Sequence, residues 1–111
     1  MARRWTLESS LEIFPEVRER TSQAVREVEE LLQERALQPA DSPARRVLDE
    51  RVEQVVSRWM RAMEALGLEV KGIWLVDFDT GSGYYCWRWP EERLEYYHSY
   101  EAGFAGRARI Q

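Results

Sequence analysis

Apolar residues recur at intervals of three and four along the first two thirds of the chain, then switch to alternation. Thr6 is placed to cap a helix, with Glu8 in the first turn where the helix dipole favours an anion. A short helix is predicted from Leu7 to Phe14, where Pro15 either kinks it or opens the next one. From Glu16 to Leu37 the residues Val17, Ala24, Val25, Val28, Leu31, Leu32 and Leu37 share one helical face. Residues 38–43 read as a loop with a second start signal, in which Asp41 or Ser42 caps and Pro43 sits in the first turn. The helix that follows carries Leu48, Val52, Val55, Val56, Trp59, Met60, Met63 and Leu66, and Gly67 stands where a left-handed C-cap residue belongs. Two helices of similar length joined by a short loop are expected to pack as an antiparallel hairpin, with Val25, Val28 and Leu32 against Val52, Val55 and Trp59.

Beyond Gly67 the period falls to two. Ile73 to Asp79 reads as a strand, Thr80-Gly81-Ser82-Gly83 as a turn, and Tyr84 to Trp89 as a second strand. Pro90 to Arg93 makes another turn, and Leu94 to His98 a third strand. The tail from Tyr100 to Gln111 reads as irregular loop. The expected fold is α+β: a helical hairpin with a short N-terminal helix, packed on a C-terminal three-stranded antiparallel meander. One domain is expected, divided into a helical scaffold over residues 1–67 and a meander with a glycine-rich tail over 68–111.

Composition narrows the function classes. With 111 residues, 44% hydrophobic and 32% charged, the chain resembles an ordinary globular domain rather than a disordered one. A net charge of −4, with Lys71 as the only lysine, argues against a general phosphate-binding surface, so no nucleic-acid partner is expected. No segment is apolar and long enough to span a bilayer or to serve as a secretory signal, so no membrane association is expected. A single cysteine suits a reducing cytoplasm. Spare apolar positions at Trp5, Leu11, Phe14 and Met60, together with unpaired strand edges, point to a homodimer.

Candidate chemistry gathers in the aromatic C-terminal third. Alternation on the second strand puts Tyr84, Cys86 and Arg88 on one face and Tyr85, Trp87 and Trp89 on the other. An arginine among so many aromatics calls for an acidic partner, and Asp77, Asp79 and Glu101 are the nearest by topology. Arg88 is either an anion-binding residue or a structural guanidinium paired or stacked in place. Cys86 is either a small buried hydrophobe or a reactive thiol, and His98 either a structural group or a general base. Asp77, Cys86 and His98 amount to three donors for a metal, but their spacing matches no closed zinc pattern and a second cysteine or histidine is missing, so no metal or cofactor is expected. Gly103 and Gly106 flank Phe104-Ala105 ahead of Arg107, which permits either an anion-binding nest or a simple turn of the tail over the sheet.

These residues carry a resemblance. Trp5-Thr6-Leu7-Glu8 leading to Phe14-Pro15 is similar to the helical opening of domain-of-unknown-function family 2203, a group of small prokaryotic proteins. Leu75-Val76-Asp77-Phe78, Tyr85-Cys86-Trp87-Arg88, Tyr97-His98 and Gly103-Phe104-Ala105-Gly106-Arg107 resemble its C-terminal signature in order and spacing. The chain departs from it at Tyr97, where a tryptophan is expected, and at Ala108-Arg109, which replace a polar-proline pair. The resemblance implies a small cytoplasmic protein and supplies no activity. The leading expectation is a dimeric binding module whose polar sheet face (Asp77, Arg88, His98, Gly103, Gly106 and Arg107) takes a small anion or a protein partner. The alternative is an enzyme with His98 as acid/base, Asp77 orienting it, Cys86 as a further candidate, and Arg88 or Arg107 holding an anionic substrate.

Overall fold

A computed structural model describes residues 3–110. The first helix, α1, is continuous over Leu7–Ala36, with Pro15 inside it. The break expected at Pro15 does not occur: the ring removes one backbone donor, while Phe14 and Val17 on either side are both buried and hold the helix against the core. Its start is a full capping box, in which the Thr6 hydroxyl accepts from the Ser9 backbone N–H at 3.0 Å and the Ser9 hydroxyl oxygen accepts from the Thr6 N–H. The second helix, α2, spans Pro43–Ala65 with Ser42 as its cap. It ends at Gly67, which takes φ +94° as its position required.

The helices pair antiparallel, as the pairing of Arg35 with Asp49 at the loop end and of Trp59 with Thr21 further down shows. Val55 and Trp59 lie in the core with Val28 packed against them and Val25 is buried, but Leu32 is 47% exposed and Leu31 takes the inward place. Trp59 donates its indole N–H to the Thr21 hydroxyl at 2.8 Å, and both residues are buried. Thr21→Val keeps the shape and strands that N–H. It is expected to lower unfolding free energy by about 1–3 kcal/mol in urea titrations, and a change within error would show that the bond contributes nothing.

Among the described residues the sheet has five antiparallel strands in the order β1-β2-β3-β4-β5, not three. Their ranges are Glu69–Gly72, Leu75–Asp79, Tyr84–Arg88, Tyr96–His98 and Ala108–Arg109. β1 is a strand that the alternation did not reveal, because Gly72, Ile73 and Trp74 turn the chain directly into β2, with Trp74 at φ +61°. Ile73 therefore lies outside β2, and β4 begins at Tyr96 rather than Leu94. The tail is ordered as well. A 3-10 turn at Phe104–Gly106 lets Ala108 and Arg109 pair with Tyr97 and Tyr96.

One face of the sheet carries Val76, Phe78 and Trp87, all fully buried against Val17, Trp59 and Met63 of the helices. Trp5 and Phe14, assigned above to a partner surface, belong to this core at 2% and 9% exposure. Trp5 packs edge-on to Phe78 at 5.3 Å and donates its indole N–H to the Gly67 carbonyl at 3.1 Å; Phe14 packs edge-on to Trp87 at 5.4 Å. Leu11 and Met60 remain exposed. Among the described residues no helix is long and apolar enough to cross a membrane.

Candidate functional site

The helices cover one face of the sheet, and the tail folds over the other. Alternation places Asp77 of β2, Cys86 of β3 and His98 of β4 on this outer face, as the sequence indicated for Cys86 and Arg88. Register does the rest. Cys86 is directly opposite Asp77, and His98 is opposite Tyr84, one step along, so the imidazole reaches back across β3 to the carboxylate. Close approach of β4 depends on Gly83, where a Cβ would lie 2.8 Å from the His98 carbonyl oxygen and 2.2 Å from the Tyr97 hydroxyl.

The three side chains form one buried group, with donor atoms all within 4.8 Å of one another. Exposure is 2% for Asp77, 1% for Cys86 and 4% for His98. His98 Nε2 lies 3.0 Å from Asp77 Oδ2, and Nδ1 lies 2.7 Å from the Ser99 carbonyl oxygen. A carbonyl only accepts, so Nδ1 carries a proton and Nε2 faces the carboxyl group. The other carboxyl oxygen, Oδ1, is buried with no hydrogen-bond partner. Burial pushes the Asp77 carboxyl above its ordinary value, partly offset by the Cys86 thiol and by His98. Burial, reinforced by the neighbouring Asp77, likewise pushes the Cys86 thiol up, far from the thiolate form. Both His98 nitrogens are engaged, one by Ser99 and one by Asp77, and among the described residues neither makes a hydrogen bond to the Cys86 thiol.

Around this group runs a ring of charge and aromatic surface. The Arg107 guanidinium sits beside the Cys86 thiol and is clamped by Glu91 through two contacts, of 3.0 and 2.8 Å. It is sandwiched between Tyr96, at 4.1 Å, and Phe104, at 4.0 Å. Tyr84 leans on the His98 ring, and Tyr100 packs edge-on to Tyr84 while donating its hydroxyl to Asp79 at 2.6 Å. Arg88 does not pair with Asp77, Asp79 or Glu101, the partners expected from topology. Its side chain is exposed and lies 5.4 Å from the Phe104 ring. The direction of β3 explains this: Arg88 is its last residue, beyond the buried carboxylate and at the margin of the tail, where only the Phe104 ring comes near it.

Gly103 takes φ +63° and the Gly106 N–H closes onto its carbonyl, so these residues bend the tail back toward β5. Thus Asp77, Cys86 and His98 come together, Arg107 borders them, and Arg88 stands apart on the surface. Glu91 is the functional neighbour that the sequence concealed. It accepts from the Arg88 backbone N–H at 2.9 Å and holds Arg107, yet in sequence it is one of two adjacent glutamates in a turn. Glu69 was equally hidden: it pairs with Lys71 at 3.0 Å and accepts from the Tyr84 hydroxyl at 3.2 Å.

A family model described as Uncharacterized conserved protein (DUF2203) matches residues 3–110, in agreement with the resemblance carried by the C-terminal motifs. No curated protein and no solved structure matches the chain.

Proposed function

We propose, from the premise that the chain belongs to the DUF2203 family of uncharacterized conserved proteins, that it is a binding module holding an anionic group at Arg88. One contrast carries this proposal. On the outer face of the sheet and its covering tail, Lys71 is paired with Glu69, Arg107 with Glu91 and Arg109 with Glu95. Among the described residues no carboxylate pairs with Arg88, whose guanidinium is exposed beside an aromatic ring. An unpaired guanidinium steadied by an aromatic surface is suited to a carboxylate or phosphate, which it meets with two parallel N–H donors. The Gly103–Arg107 bend supports the site indirectly, by holding Phe104 next to Arg88.

Calorimetric titration of the protein with inorganic phosphate and with a dicarboxylate tests this. Arg88→Ala is expected to weaken binding of the preferred anion about tenfold, the equivalent of one charge-assisted hydrogen bond. Arg88→Lys is expected to recover part of the loss through charge alone. Equal affinity in the wild-type and Arg88→Ala proteins, or no binding of either anion, would remove Arg88 from any such role.

A further inference from the structure

The buried group beneath that surface has a separate chemistry. We propose that Asp77, Cys86 and His98 form a binding site for a single divalent transition-metal ion of the zinc class, held by Asp77 carboxylate oxygen, Cys86 Sγ and His98 Nε2.

Three independent features of the structure support it. The donors come from three adjacent strands and converge within 4.8 Å, with Nε2 and Oδ2 at 3.0 Å. Tetrahedral zinc with these ligands needs donor separations of about 3.3–3.6 Å, so only small side-chain movements are required. Second, His98 is already set as a ligand. Its Nδ1–H is fixed by the Ser99 carbonyl at 2.7 Å, which directs the Nε2 lone pair at the other two donors, the second-shell arrangement found around metal-bound histidines. Third, Asp77 Oδ1 is a buried carboxyl oxygen that makes no geometrically sound hydrogen bond among the described residues. A buried carboxyl oxygen without a partner carries a desolvation cost that a cation removes.

Charge balance and donor type select the ion. One carboxylate, one thiolate and one neutral imidazole bring two negative charges, which a divalent ion neutralises within a site that water barely reaches. The single thiolate and imidazole suit zinc, cobalt(II) or iron(II), whereas magnesium and calcium take oxygen ligands. Binding would displace the thiol proton and the proton lying between His98 and Asp77 to solvent. Arg107, beside the thiol and already neutralised by Glu91, is placed as an outer-shell donor to the sulfur. The chain's one cysteine and one histidine are both used, which leaves a fourth position to an oxygen donor.

The expected results are specific. Chelator-treated protein titrated with cobalt(II) should develop a sulfur-to-cobalt charge-transfer band in the near ultraviolet, saturating at one ion per chain and bleached by zinc. Zinc should raise the thermal midpoint, while magnesium should not. Cys86→Ser should abolish the charge-transfer band, and Arg88→Ala should leave it unchanged, which separates this site from the anion site. X-ray absorption at the zinc edge of the wild-type protein covers the case of a variant that does not fold, and should show one sulfur among nitrogen and oxygen neighbours. Absence of the band in folded wild-type protein, its persistence in Cys86→Ser, or two or more sulfurs in the zinc shell would each overturn the proposal.

Discussion

Trp87→Ala is expected to be the most damaging single substitution in the sheet, lowering unfolding free energy by about 3–5 kcal/mol. The indole is fully buried, edge-on to Phe14 at 5.4 Å and to Trp89 at 6.4 Å, and stands where the sheet meets α1. Alanine removes that volume from a region bounded by both a helix and a strand, where collapse is restricted and a cavity persists. The ring also donates to the Glu91 carbonyl at 2.8 Å. Glu91 in turn clamps Arg107, so the loss should spread to the outer face and loosen the tail. Against a domain stability of about 5–15 kcal/mol, this removes a large share of the total. Guanidinium denaturation monitored by fluorescence and far-ultraviolet circular dichroism would measure it. Trp87→Phe keeps most of the volume, loses the hydrogen bond, and is expected to cost less. A Trp87→Ala cost below about 1 kcal/mol, the range of exposed sites, would mean that this junction is not the packing centre described here.

His98→Ala, measured on chelator-treated protein, is expected to cost about 3 kcal/mol. It removes the Ser99 contact and leaves the Asp77 carboxyl, already without a partner at Oδ1, unpartnered at Oδ2 as well. The diagnostic is non-additivity. If the two side chains act as a pair, Asp77→Ala should cost much less in the His98→Ala background than in the wild type, with a coupling of about 0.5–3 kcal/mol. Additive costs would indicate that the 3.0 Å contact contributes nothing beyond packing. Because the metal is absent throughout, this cycle reads the bare pair and leaves the metal titration independent.

Both predictions concern residues whose type and strand were legible in the sequence; Asp77 was named there as the group that orients His98, whereas the partners of Trp87 were not. The alternation of Tyr84, Cys86 and Arg88 against Tyr85 and Trp87 follows from the backbone of any strand, and it survives intact. That Trp87 faces the helices, whereas Cys86 is covered by the tail, depends on which face of the sheet the hairpin occupies. Arg88 illustrates the limit: three acids were near it by topology, and none pairs with it. Its neighbours Lys71, Arg107 and Arg109 took theirs from Glu69, Glu91 and Glu95, acids that no motif distinguished. Surface ion pairs depend on side-chain reach across strands, which carries no periodic signal. The tail was misread for a related reason. A strand as short as Ala108–Arg109 has no alternation to detect, and it exists only because β4 offers it an edge.

The sequence by itself determined the features whose causes lie within a few residues: the cap at Thr6, a second cap at Asp41 or Ser42, the left-handed stop at Gly67, the change of period that makes the class α+β, and the shared face of Cys86 and Arg88. The tertiary structure alone decided that α1 runs through Pro15, that five strands form where three were apparent, and that Trp5 and Phe14 are core. It also decided the register that sets Cys86 opposite Asp77 and brings His98 across to join them. The physical reason is one of range. Capping and periodicity are satisfied by local backbone bonds, whereas register and burial are settled by contacts between segments far apart in the chain, where burial of one large face outweighs any local preference.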